Sequence, residues 1–216
     1  MAIEAGPRIV TNGLIYDLDG AVSRSYSGAG LTVYDAETSA IGGTLVNGVT
    51  YSSNNNGYFV FDGTNDYINV GNDSSLQISS GTISAWARTS SPGGSFRGIV
   101  AKQFAYGIFY NDSVFVAYDW QASATRSSGI NIADGAWKNL VLTFSGGIGS
   151  LYLNGSSVLS TTYNISNNSY NLFIGAEANA NQYAACNIAQ VLVYNRAITA
   201  SEVIQNYNAT KRRYGL

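Results

Sequence analysis

A chain of 216 residues, 45% apolar and 12% aromatic, can build a core and suits one all-β domain. Charged residues make up only 11%, against roughly 25% in an average globular protein, so the surface must be largely uncharged and polar. The net charge is −2, and the one basic cluster, Lys211-Arg212-Arg213, reads as a solvated tail or a subunit contact; DNA or RNA binding needs far more phosphate-neutralising cations on one face.

The start, MAIEAGPRIV, lacks the apolar core of a signal peptide, and no run approaches transmembrane length. The expectation is synthesis in a cytosol, with no Sec-type signal and no membrane partner. The one cysteine, Cys186, sits in AACNIAQV, forms no intrachain disulfide and should pack as a small hydrophobe. With no histidine anywhere, Ser-His-Asp and Cys-His chemistries are both absent. The Asn-X-Ser/Thr triplets at Asn72, Asn111, Asn154, Asn164, Asn167 and Asn208 read as chance in an Asn- and Ser-rich chain.

In chain order, YFVF (Tyr58–Phe61) and YINV (Tyr67–Val70) flank Asp62-Gly63-Thr64-Asn65-Asp66. The simplest reading is a hairpin with this stretch as its corner, because Asp and Asn bond nearby backbone N–H groups and glycine accepts unusual φ. The other reading is a calcium site on Asp62 and Asp66. Calcium takes roughly six to eight oxygens, of which this loop supplies some, and the spaced acidic pattern of an EF-hand is missing. TISAWAR (Thr82–Arg88) and GIVAK (Gly98–Lys102) follow as strands. Tyr106, Ile108 and Tyr110 alternate, Asn111-Asp112-Ser113 turns, and VFVAYDW continues. Leu140, Leu142 and Phe144 alternate in LVLTF, and LYLNGSSV predicts a hairpin turning at Asn154-Gly155. NLFIGA and NIAQVLVYN complete a set of short, closely spaced strands, the pattern of a two-sheet sandwich. A capping box, Thr199 to Glu202, predicts one helix from about Ala200 to about Asn208, with Ile198 stapled against Val203.

The order FDGTNDYINV, TISAWAR, WKNLVLTF, LYLNG, NLFIGA, NIAQVLVYNRAITASEV resembles the laminin-G-like, concanavalin-A-like jelly-roll domains over roughly residues 13–207. The opening GPRIVTNGLIYDLDG and the closing YNRAITASEVIQNYNATKRRYGL are similar to versions in structural proteins of tailed bacteriophages. The resemblance implies an all-β, two-sheet antiparallel jelly-roll sandwich with one short C-terminal helix. The chain divides as an N-terminal arm (1–12), the domain (13–209) and a C-terminal tail (210–216). Such domains commonly bind sugars or mediate adhesion, sometimes with calcium, and some relatives hydrolyse β-glucans. Relatives often carry an acidic pair in the last strand; Ala189 and Gln190 stand there instead. The glucanase relatives cluster Glu-x-Asp-x-x-Glu on one strand, and none of the four glutamates, Glu4, Glu37, Glu177 and Glu202, lies in such a cluster.

Sugar rings lie on Trp or Tyr faces while amides and carboxylates bond their hydroxyls. Tyr110, Asn111, Asp112, Tyr118, Asp119 and Trp120, with Asn181 and Tyr183 from a later loop, are the candidate glycan contacts. The competing reading makes these aromatics ordinary sheet residues. Trp86 and Trp137 fall in segments where the resemblance places core residues, which implies that they are buried. The expectation is a non-enzymatic virion protein that displays a lectin-like adhesion domain, with no cofactor or with calcium. It sits on the particle surface as a homo-oligomer and contacts other virion proteins through Met1–Asn12 and Tyr207–Leu216. A free-standing lectin and a glycan hydrolase are the alternatives.

Overall fold

The computed structural model describes residues 7–38, 40–177 and 182–216. In chain order the strands are β1 (Leu14–Asp19), β2 (Thr32–Tyr34), β3 (Gly42–Val46), β4 (Thr50–Ser52), β5 (Tyr58–Asp62), β6 (Tyr67–Gly71), β7 (Gly81–Arg88) and β8 (Arg97–Lys102). They continue with β9 (Tyr106–Asn111), β10 (Val114–Asp119), β11 (Ala124–Asn131), β12 (Lys138–Ser145), β13 (Ile148–Leu153), β14 (Ser156–Thr162), β15 (Leu172–Ile174) and β16 (Ala185–Tyr194), and helix α1 (Ala200–Thr210) follows.

Side chains alternate between the two faces of a strand, so each strand divides its residues between two environments. The inward halves, such as Ile83, Ala85 and Ala87 of β7 and Tyr106, Ile108 and Tyr110 of β9, meet in one inter-sheet core. Two eight-stranded antiparallel sheets enclose it. The first runs β14-β13-β12-β7-β16-β5-β4, with β1 beside the C-terminal half of β16. The second runs β11-β10-β9-β8-β15-β6-β3-β2. This is the expected jelly-roll sandwich, with the expected helix.

The hairpin expected at FDGTNDYINV is not one. β5 lies in the first sheet between β16 and β4, and β6 lies in the second between β15 and β3. The loop crosses from one sheet to the other. Two strands with a short polar loop read the same in sequence whether the chain turns back or crosses over. The Asn154-Gly155 turn does join a hairpin, β13 to β14, with φ of 51° and 81° at the two residues.

The two outer faces have different fates. On the first sheet, α1 begins at a complete capping box on Thr199 and Glu202. Val10, Val141, Tyr152, Leu192, Tyr194, Ile198 and Val203 pack together beneath it. The arm is held there too: Asn206 Oδ1 accepts from the Val10 amide at 2.8 Å, and the Val10 carbonyl accepts from Tyr194 Oη at 2.9 Å.

The tail, expected to be solvated or to contact a neighbour, packs against the first sheet. After α1 a 3-10 turn, Lys211–Tyr214, lays the Tyr214 ring on Trp86 at 4.1 Å between centroids. Arg213 pairs with Asp19 at 2.6 Å and donates to the Gly57 carbonyl at 2.7 Å. The aromatic content of the tail decides this, because exposing Tyr214 and Trp86 together would forfeit a large buried area. Trp86 and Trp137 are buried as expected, on this outer face rather than between the sheets. Cys186 is buried among apolar neighbours, and burial pushes its thiol up to about 12, as befits a packing residue.

A candidate ligand cleft on the second sheet

The outward residues of β8, β9 and β10 form a separate apolar group: Ala101, Phe109 and Val116, with Phe96, Val114, Tyr118 and Trp120 packed against them. Glycine at 107 allows this, because a Cβ there would meet the Phe109 ring at 2.8 Å. The ring therefore lies down along the sheet. Edge-to-face contacts assemble the rest. Phe96 meets Phe109 at 6.0 Å and Tyr118 at 5.3 Å, while Trp120 meets Phe109 at 5.9 Å and Tyr118 at 5.5 Å. Perpendicular rings satisfy their quadrupoles and leave a notch between them.

The notch is a cavity of about 310 Å³ lined by Phe96, Phe109, Tyr118, Trp120, Glu177 and Gln182. Glu177 and Gln182 form its polar wall. Burial pushes the Glu177 carboxyl up to about 7, and hydrogen bonds from the Trp120 indole and the Gln103 side chain oppose that rise. Gln182 Oε1 is buried, and no described group donates to it. A buried acceptor without a donor is costly unless a ligand or water completes it.

The predicted contacts divide. Tyr118 and Trp120 line the cleft. Asn111 and Asp112 position it: Asn111 Oδ1 accepts from the Phe96 amide at 3.1 Å, and the Asp112 amide donates to the Gly94 carbonyl at 3.0 Å. Together they hold the loop before β8, in which Phe96 takes a φ of +32°, a strained value for a side-chain-bearing residue. Tyr183 belongs to a neighbouring aromatic row, 6.2 Å from Tyr67, which meets Phe173 at 5.0 Å. Asn181 lies outside the described residues.

Two expectations are corrected. Tyr110 is fully buried between the sheets, because β9 turns 106, 108 and 110 inward and 109 outward. Asp119 is fully buried in an ion pair with Arg126 at 2.8 Å and accepts from the amides of Ala122 and Asn164. Burial raises its carboxyl, but Arg126 and these amides together hold it below the usual range. Gln182 belongs to the loop that also carries Asn181 and Tyr183; the residues the sequence reading missed, Phe96, Phe109 and Glu177, carry one signal: Phe109 alternates against Tyr110.

The proposed calcium pair faces backbone. Asp66, almost fully buried, accepts from the Gly48 amide at 2.7 Å and the Asp62 amide at 3.2 Å, one on each oxygen. Asp62 Oδ1 accepts from the Thr64 amide at 2.7 Å. The bonds from Asp62 and Thr64 are local to the loop and that from Gly48 ties it to the turn before β4; among the described residues no three His, Cys, Asp or Glu side chains gather as a metal cluster. In the last strand, Gln190 donates to Asp17 at 3.4 Å and Asp19 at 3.2 Å, tying β16 to β1.

A search of curated proteins finds no relative. Among solved structures, the chain is similar to the binding domain of Paraclostridial Mosquitocidal Protein 1, at 18% identity and a TM-score of 0.73, over 91% of this chain and 52% of that one. It is also similar to a Trypanosoma rangeli sialidase in complex with sialic acid, at 16% and 0.75, over 96% of this chain and 35% of that one. A third is the receptor binding domain of a botulinum neurotoxin C/D mosaic serotype, at 14% and 0.68, over 90% and 51%. The chain thus spans about half or less of each of these, and at such identities the likeness is one of fold. Residues 62–204, about two-thirds of the sequence, match the concanavalin A-like lectin/glucanases superfamily, and the chain belongs to it.

Proposed function

We propose that the chain is a non-catalytic, lectin-like module whose cleft on the second sheet holds one ring of a glycan, displayed on the surface of a bacteriophage particle. The observation that carries the sugar reading is Gln182 Oε1, without a donor among the described residues, set in a wall facing Tyr118 and Trp120. An apolar sugar face rests on the rings while a sugar hydroxyl donates to Gln182. The binding and receptor binding domains that share the fold are consistent with attachment as the role. The particle setting rests on the resemblance of the two ends to tailed-phage structural proteins. Other virion proteins, and further copies of this chain, are its expected neighbours.

A hydrolase would draw on Glu177, whose raised carboxyl suits a general acid. Glycoside cleavage also needs a second carboxyl roughly 5–10 Å away, and Glu177 is the one carboxylate among the described lining residues. This supports the non-catalytic reading.

A glycan array identifies a ligand, and calorimetry with Trp120→Ala tests the cleft. Affinity should fall at least ~10-fold, worth about 1.4 kcal/mol. An undiminished affinity in that variant, or no sugar bound at millimolar concentration, removes the lectin reading. Mass spectrometry of purified particles tests the setting separately.

A further inference from the structure

A second cavity, of about 320 Å³, opens where the ends of β5, β7 and β16 meet; Phe61, Arg88, Thr89, Ser90, Ala185 and Asn187 are among its walls. Its charged member is Arg88, the last residue of β7. The guanidinium lies over two rings, 5.0 Å from the centroid of Tyr58 and 5.0 Å from that of Trp137. With its amide oxygen turned inward, Asn187 accepts from Nε at 2.8 Å and from Nη2 at 3.1 Å. Tyr58 Oη also accepts from Nη2, at 3.1 Å. The group is thus immobilised by neutral partners alone.

The ion pairs of the described residues are Arg126–Asp119, Lys138–Asp134, Arg196–Glu202 and Arg213–Asp19, and Arg88 is in none of them. Among the described residues no carboxylate lines the cavity. The nearest along the chain are committed: Asp62 to the Thr64 amide, and Asp134 to Lys138 and the Ala136 amide. Nη1 has no hydrogen-bond acceptor among the described residues. A fixed guanidinium with a free donor nitrogen and no carboxylate paired to it among the described residues is suited to an oxyanion, which it meets with charge-assisted hydrogen bonds.

We propose that this cavity is an anion-accepting subsite that takes the carboxylate or sulfate-ester group of an acidic sugar. The inference rests on the lectin reading for its ligand class. The two cavities are bordered by the same two segments. The loop between β7 and β8 gives Ser90 to this cavity and Phe96 to the cleft, while the start of β16 gives Ala185 and Asn187 here and Gln182, just before that strand, lies there. One acidic oligosaccharide spans both, its neutral ring in the cleft and its charged substituent on Arg88.

The test follows two NMR reporters, the Nε–H of Arg88 and the indole N–H of Trp120. Glucuronate, its methyl ester and glucose 6-sulfate are each titrated to millimolar concentration. The Arg88 signal should move with glucuronate or the sulfate and stay still with the ester, and the arm that moves it names the anion. Arg88→Gln should bind glucuronate at least ~10-fold more weakly, while Arg88→Lys retains charge and part of the binding. An Arg88 signal that ignores both anions, or answers the ester equally, overturns the subsite. If Trp120 alone responds, the cleft stands and the subsite falls. If Arg88 alone responds, the subsite stands and the cleft falls.

Discussion

At the scale of single residues, Asn111 shows how a polar side chain serves a site it does not line. It belongs to β9, yet its oxygen fixes the amide of Phe96 in a conformation that an aromatic residue adopts only under constraint. Asn111→Ala leaves that amide without its acceptor. A stability loss of about 1 kcal/mol is expected, the ordinary worth of one hydrogen bond. The affinity of the cleft should fall as well, because the Phe96 ring is no longer held against Tyr118 and Phe109. Urea unfolding and calorimetry on the same variant check both. A variant that loses stability and keeps full affinity would show that Phe96 does not shape the cleft. Tyr118 and Trp120 were legible as candidates because they are bulky aromatics near a turn. Tyr110 was equally legible and wrong. Alternation separates 109 from 110, but which of the two faces is open depends on what the rest of the chain covers.

Among elements, the C-terminal turn is the most informative, because charge suggested a solvated tail and its aromatics overruled that. Tyr214 stacks on Trp86, Trp137 lies 5.0 Å away, and the Tyr214 hydroxyl has no hydrogen-bond partner among the described residues. Two substitutions separate the contributions. Tyr214→Ala should cost about 3–5 kcal/mol, the usual range for a buried aromatic. Tyr214→Phe should cost almost nothing, since it removes an unsatisfied polar atom and keeps the stack. Denaturant midpoints decide. Equal losses in both variants would mean that the hydroxyl, not the ring, secures the turn. The crossover at Asp62–Asp66 teaches the converse lesson. Strand existence was plain from β-branched and aromatic runs, whereas the partner of each strand was not, because pairing is set by contacts far apart in sequence. Helix α1 was readable to within two residues at its end, since its start depends on the local pair Thr199 and Glu202.

For the whole molecule, buried carboxyls set the response to pH. Asp17 is buried beside Asp19; burial first, and then the neighbouring charge, push it up to about 8. Glu177 rises to about 7. Each holds its proton in the folded chain well above the values of 3.8 and 4.5 that apply when it is exposed. The folded state therefore binds more protons than the unfolded state across that interval, and stability falls as pH climbs through it. On the acid side Glu202, which the bonds from Arg196 and Thr199 hold down to about 2, works in the opposite sense. Its contribution is complete above 4.5 and fades as pH drops toward 2. Lys102, lowered to about 8 by burial, begins to favour the fold only above that pH. The urea midpoint should therefore be higher at pH 5 than at pH 8, by at least about 1.4 kcal/mol in stability, the worth of one pKa unit. Asp17→Asn combined with Glu177→Gln should flatten the decline. A midpoint that rises between those two pH values would show that the buried acids are ionised in the native protein.

Both described ends of the chain rest on one side of the sandwich. The arm lies along α1, the tail covers Trp86, and the ring-lined notch opens from the opposite sheet. Grafted to a bead or sensor chip by either terminus, the domain will turn its notch toward the bulk solution. Random lysine coupling would scatter that orientation, so the two immobilisation chemistries should differ in the fraction of molecules able to capture a sugar.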